Sequence, residues 1–269
     1  MQKFIKFLYS PYHKIRTIWY DSNLREKVAL KKYRKANELR YKVFNNPLVT
    51  ITIPTLNRSQ LLKERSIPSV LNQTYQNFEI IIVGDHCTDD TAEVIKSFDD
   101  KRIRFYNLPE PTKYPVNKFH RWRVGGTKAS NLALSMAKGD WIAHLDDDEI
   151  FTFDRIELML KHAYDNGSEF VFGIHREQRN ASKWEISDNP DPNQVRIARS
   201  AVMYRSYLKY FKYRDDTYKY NRPHDKDLWK RMLNAGVRMS FFSHLVTSAP
   251  LKPGEFEKKA ENWFQSKVS

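Results

Sequence analysis

The chain has 269 residues, 41% of them hydrophobic, which is enough for one large domain or two small ones around a real core. Its 46 Lys and Arg against 32 Asp and Glu leave a net charge of +14, so an anionic partner has to be considered from the start. The single cysteine, Cys87, excludes an intrachain disulfide and a Cys-rich zinc site, and a mean hydropathy of −0.70 without any apolar run of about 18 residues excludes a spanning helix.

The charge is uneven: residues 1–47 carry +9, residues 195–231 carry +7, and the rest sums to −2. In residues 3–44 aromatics (Phe4, Phe7, Tyr9, Tyr12, Trp19, Tyr33, Tyr41, Phe44) alternate with cations, and Asn23 to Tyr41 contains neither Gly nor Pro. One or two helices broken at Pro11 are expected there. Lys6, Ser10, Pro11, His13 and Lys14 interrupt the apolar centre that a secretory leader needs, so the expected location is the cytoplasm, with the extension 1–47 available for peripheral membrane contact.

Asn45-Asn46-Pro47 is turn chemistry, and a new domain is expected to start at residue 48 and run to 248. Strand 48–53 precedes a helix over 59–72, and Phe78 to Val83 is apolar on both faces, as a buried parallel strand is. A helix over 90–98, a strand over 102–106, a loop over 108–126, a helix over 128–138 closed by Gly139 and a strand over 141–145 follow. A helix over 153–166 and a strand over 169–174 lead to a polar, loop-like stretch over 176–194. A strand over 194–204, a helix over 224–235 ended by Gly236 and the strand-like Met239 to Phe242 complete the domain. Residues 249–269, with Phe256, Ala260, Trp263 and Phe264 at helical spacing, read as a terminal helix. This alternation predicts an α/β fold with a mostly parallel sheet covered by helices on both faces.

No glycine pattern fits a dinucleotide or P-loop phosphate cradle, and there is no H-E-x-x-H. The sharpest feature is Asp146-Asp147-Asp148-Glu149, directly after a buried strand, where open α/β sheets bind ligands. Asp146 and Asp148 fall on one side and suit a hard divalent cation, without which four adjacent acids would repel one another. The plainer reading is a solvated acidic turn. Asp85 stands just past the second strand, and Thr55, Asn57 and Arg58 just past the first. His224-Asp225-Lys226-Asp227 opens a helix, where acids act as dipole partners or, facing a pocket, as a general base; Asp225 and Asp227 both qualify.

The order VTITIPTLNR, SIPSVLNQTYQNFEIIIVGDHCTDDT, ASNLALSMAKGDWIAHLDDDE, HDKDLWKRMLNAGVR resembles family 2 glycosyltransferases of the GT-A fold over roughly residues 48–240. The resemblance implies a nucleotide-sugar donor, UDP-linked by family habit, and a glycan or lipid-linked saccharide acceptor. It implies that Asp85 reads uracil and that Asp146 and Asp148 hold ribose and a divalent metal, Mn2+ or Mg2+. Pro54, Thr55, Asn57, Arg58, Lys128, Asn131 and Asp147 would complete the donor site, with His244 as an extra metal or phosphate ligand. Asp225 becomes the base of an inverting displacement. An acidic pocket would repel the donor, so the metal would be required for binding. Gly84, His86-Cys87, Ser130 and His224 depart from the family pattern, and with Ser130 in place of the usual Arg the diphosphate would meet Lys128 or Arg123. The alternatives from other classes are a nucleic-acid-binding protein, which lacks a recognition motif here, and a membrane-surface docking protein without transferase activity.

Overall fold

The computed structural model describes residues 24–41, 43–193 and 196–252. The helix expected before residue 24 and the terminal helix expected after residue 252 lie outside them.

Helix α1 (Leu24–Asn37) is followed by strand β1 (Val49–Thr55) and by helix α2, which runs Ser59–Leu61, a π turn Leu62–Ser66 and Ile67–Leu71. Then come β2 (Phe78–Gly84), α3 (Thr91–Lys96), β3 (Ile103–Asn107), α4 (Lys118–Val124), α5 (Thr127–Met136), β4 (Trp141–His144), β5 (Ile150–Phe151) and α6 (Arg155–Asp165). The hairpin strands β6 (Phe170–Gln178) and β7 (Trp184–Ser187), then β8 (Val202–Arg205), α7 (His224–Ala235) and β9 (Met239–Ala249), complete the order.

The sheet runs β3-β2-β1-β4-β8-β6-β9-β5, with β7 paired to His175–Gln178 of β6, past the segment of β6 that pairs with β8. Strands β3, β2, β1 and β4 are mutually parallel, β8 is antiparallel to both of its neighbours, and β9 is parallel to β6. Alternation along β2 explains both layers of the core. Ile80 and Ile82 join Ile51, Leu62, Met159 and Leu160 on one face, while Ile81 and Val83 join Ala129, Ala133, Leu228 and Trp229 on the other. Full burial of each such aliphatic side chain contributes roughly 1.5–3 kcal/mol. Gly236, at φ +92°, ends α7 in the left-handed conformation that a side chain resists.

Three expectations give way. The loop over 108–126 contains α4, capped by Asn117, whose Oδ1 accepts from the Phe119 and His120 amides. The polar stretch after residue 175 is a hairpin rather than a loop; it sits at the sheet margin, where Glu177, Gln178 and Glu185 can stay solvated. The strand expected over 194–204 shrinks to Val202–Arg205 behind a 3-10 turn, Arg199–Ala201.

Helix α1 packs on the domain through Leu30, which is buried, through Tyr33 stacked on Tyr210, and through Arg34, which donates to both carboxylate oxygens of the buried Glu169 at 2.6 Å.

Candidate active site

Because β2, β1 and β4 are adjacent and parallel, the loops after them emerge side by side beyond the carboxyl ends of the strands. Asp85 comes from the first, Pro54, Thr55 and Arg58 from the second, Asp146, Asp147 and Asp148 from the third, and all of them line a cavity of about 1040 Å³. Helix α4 with Arg121, Trp122 and Arg123, and the start of α7 with His224 and Asp225, also line it. A second cavity of about 400 Å³ adjoins it under the β6–β7 hairpin and shares Trp122, Asp146, Asp148, Asp225 and Lys252.

The acid cluster is balanced within the protein. Asp146 Oδ1 accepts from Arg199 Nη1 at 2.6 Å, and Arg199 is buried against Tyr213 and His144. Asp147 accepts from Arg58 Nη1 at 2.7 Å and from Thr55 Oγ1 at 2.8 Å. Asp148 meets Lys252 Nζ at 2.8 Å and Arg58 Nη1 at 3.2 Å. Burial pushes Asp147 up to about 6 despite Arg58, and burial together with the charge of Asp146 raises the Glu149 pKa above its ordinary value. Burial alone would lower the Arg58 pKa, but the charges of Asp147 and Asp148 reverse it.

The expectation of an acidic pocket therefore needs correction. Among the described residues the larger cavity is lined by eight Lys and Arg against five Asp, so its lining is net positive. The cations come from the loop after β1, from α4 and α7, and from Arg196, Arg199 and Lys252, all far apart in sequence.

Not every expected site residue reaches the cavity. Asn57 exchanges hydrogen bonds with Thr88, its Nδ2 donating to Oγ1 at 3.2 Å and its Oδ1 accepting from the amide at 2.8 Å, which ties the first loop to the second. Asn131 holds the backbone of Tyr213 from both sides, and Lys128 is exposed on α5 outside the lining. His244 is exposed on β9, stacked on Phe242 at 4.5 Å and outside both cavities; the irregular β6–β9 register there places it away from the acids. Of the two cations considered for the diphosphate, Arg123 lines the cavity. Asp227 is fully buried between Arg222 and Arg231, whereas Asp225 lines both cavities, which separates two acids that were equivalent in sequence.

The departures from the family pattern have local reasons. A Cβ at Gly84 would come within 2.5 Å of Asn107 Oδ1, and that amide is engaged with the backbone of Cys87 through both of its polar atoms. His224 is kept neutral by burial, and its Nδ1 lies 3.0 Å from the Arg123 carbonyl, joining α7 to α4. Tyr114, Trp122, Arg199 and Lys252 were not singled out in the sequence, because each lies in a stretch without a diagnostic pattern.

The family model described as Glycosyl transferase family 2 matches residues 50–226. The chain belongs to this family. Among curated family relatives, UDP-Glc:alpha-D-GlcNAc-diphosphoundecaprenol beta-1,3-glucosyltransferase WfgD of Escherichia coli is 28% identical over 162 residues, 60% of this chain and 55% of that protein. The chain spans from about a fifth to about half the length of the curated relatives it matches. The structure of S. aureus TarS 1–349 in complex with UDP-GlcNAc superposes with a TM-score of 0.61 at 18% identity, covering 78% of this chain and 60% of that one. The mannosyltransferase PcManGT from Pyrobaculum calidifontis in complex with GDP-Man and Mn2+ gives 0.57 at 16% identity, covering 86% and 67%. The fold is that of the GT-A glycosyltransferases.

Proposed function

We propose that the chain moves a sugar from a nucleoside-diphosphate donor to a hydroxyl of a glycan or lipid-linked saccharide, with inversion at the anomeric carbon. The observation that carries this reading is the convergence of Asp85, Arg58 and the Asp146–Asp148 loop beyond the carboxyl ends of β2, β1 and β4, in a net-positive cavity that Asp225 also lines. Asp85 would meet the base N–H, and Thr55 and Arg58 would orient the acid loop. The cations of α4 and α7 would draw in the diphosphate, and Asp225 would take the proton of the attacking hydroxyl.

The donor chemistry of Asp146 and Asp148, two hard carboxylates on one cavity wall, fits a divalent cation, Mn2+ or Mg2+. Among the described residues no third Asp, Glu, His or Cys joins them into a three-ligand cluster, so diphosphate oxygens and water would complete its shell. Such an ion would offset charge developing on the departing diphosphate. UDP is the favoured nucleotide, supported by the donor named for WfgD, and the diphosphoundecaprenol in that name supports a lipid-linked acceptor.

Residues 1–47 form, in this reading, an extension to the catalytic unit 48–248, with 249–269 as a tail. On the side of α1 away from the domain, Leu24 and Val28 are exposed beside Lys27, Lys31, Lys32 and Lys35, which suits contact with an anionic membrane face. No described helix is long and apolar enough to cross a membrane. The test is release of nucleoside diphosphate from UDP-sugars in the presence of undecaprenyl-diphosphate saccharides. Asp225→Asn should lower kcat by about 10²–10⁴-fold with the fold intact, and unchanged turnover in that variant would remove Asp225 from the reaction.

A further inference from the structure

Of the three aspartates in the acid loop, Asp148 alone is compensated by a cation on the segment that leaves the sheet. Arg199 sits beneath Asp146, Arg58 bridges Asp147 and Asp148 from the loop after β1, and Lys252 reaches Asp148 from residues 250–252, beyond β9.

These residues form a strap that is held in place. Arg65 Nη1 donates to the carbonyls of Asp148 and Pro250, each at 3.2 Å, and its Nη2 donates to the Leu251 carbonyl at 2.5 Å. The Leu251 amide donates to Gln178 Oε1 at 3.1 Å. One guanidinium on α2 thereby joins the acid loop and the strap by their backbones, so the contact of Lys252 with Asp148 is built in rather than a chance of a long side chain. The pair is partly shielded, with side-chain exposures of 37% for Lys252 and 16% for Asp148, and Lys252 lines both cavities.

With Arg199, Arg58 and Lys252 in place, the three aspartates are already matched charge for charge. A divalent ion on Asp148 would meet an ammonium at hydrogen-bond distance from the same carboxylate, and like charges at that range repel strongly in a partly desolvated site. We propose that Lys252 is a tethered counter-cation that competes with a divalent metal for Asp148, so that the metal binds weakly to the empty protein. The ion then enters with a nucleoside diphosphate, whose oxygens give both the ion and the displaced ammonium a partner. This inference rests on the assignment of Asp148 as the metal ligand.

The experiment is a titration of the full chain with Mn2+ alone, without nucleotide, read by the loss of the free-ion electron paramagnetic resonance signal. Lys252→Ala should bind Mn2+ about two- to fivefold more tightly than the unaltered chain, as expected for removing one partly shielded ion pair, or should show binding where the unaltered chain shows none. Lys252→Arg should behave as the unaltered chain does. Equal or weaker binding in Lys252→Ala, absence of binding in both, or Lys252→Arg behaving like Lys252→Ala would each overturn the competition. Asp148→Asn separates the two levels. If adding it to Lys252→Ala leaves the Mn2+ affinity of that variant unchanged, the ligand assignment falls and the competition with it; if it abolishes the binding shown by the unaltered chain while Lys252→Ala is neutral, only the competition falls.

Discussion

Tyr114 Oη donates a hydrogen bond to Asp85 Oδ2 at 2.5 Å, and the Tyr114 hydroxyl in turn accepts from the Gly126 amide at 2.9 Å. Thr112 Oγ1 donates to the other oxygen of Asp85. The carboxylate proposed to read the base is therefore aimed by the loop between β3 and α4, and that loop is tied to the start of α5. Burial and the neighbouring Asp85 charge push the phenol pKa far above its ordinary value, so Tyr114 acts as a donor throughout the physiological range.

Tyr114→Phe keeps the ring and removes the donor. Its expected cost is about 0.5–1.5 kcal/mol of folding stability by chemical denaturation, together with weaker UDP binding by calorimetry. Asp85→Ala should weaken UDP more than Tyr114→Phe does; the reverse order would mean that Asp85 is structural.

Arg199 is a buried cation whose partners are Asp146, Tyr213 and His144. Burial first, then the positive charge of Arg199, holds the His144 pKa well below its ordinary value, so the imidazole is a neutral link between Thr52 and Tyr204. Arg199→Met keeps the apolar stem and removes the charge. A loss of about 1–3 kcal/mol is expected because the partners are left unsatisfied, and the loss should be accompanied by weaker nucleotide binding as Asp146 loses its support. Full stability in Arg199→Met would show that Asp146 holds its position without the guanidinium.

Glu169 links α1 to the domain. Burial would raise its pKa, but hydrogen bonds from Arg34, the Arg238 amide and Tyr207 outweigh it, and the folded-state pKa lies below the ordinary value. A depressed carboxylate pKa means that the unfolded chain binds more protons in the window between the two values. The stabilisation is therefore complete above the unfolded pKa of about 4.3 and is lost as pH falls through the folded one. Glu169→Gln should lower stability at pH 7 by about 1–3 kcal/mol, and the difference from the unaltered chain should shrink below about pH 4. A pH-independent difference would show that packing, not charge, is what the substitution disturbs.

The strand-helix alternation from β1 to β4 was legible because burial on both faces leaves a continuous apolar run, as in Phe78 to Gly84. The acids were legible because they follow such runs directly. The β6–β7 hairpin was not, since its edge position lets it be polar, and β8 was obscured by its cations. Arg205 is buried in β8 only because its guanidinium lies over the rings of Trp141, Tyr41 and Tyr164 at 4.1–4.5 Å, a shelter invisible from local sequence. The sign of the cavity is hidden from local sequence for a similar reason. Arg121, Arg196, Lys230 and Lys252 are scattered over more than 130 positions and meet only in the fold.

The most direct test of the donor site is thermal unfolding of the full chain with UDP, GDP and dTDP, each with and without Mn2+. At least one diphosphate with Mn2+ should raise Tm by several degrees, as saturating ligand does, and the rise should disappear in Asp148→Asn and shrink in Asp85→Ala. No shift with any of the three nucleotides, or an equal shift in both variants, would contradict a nucleoside-diphosphate site at the carboxyl ends of β2, β1 and β4.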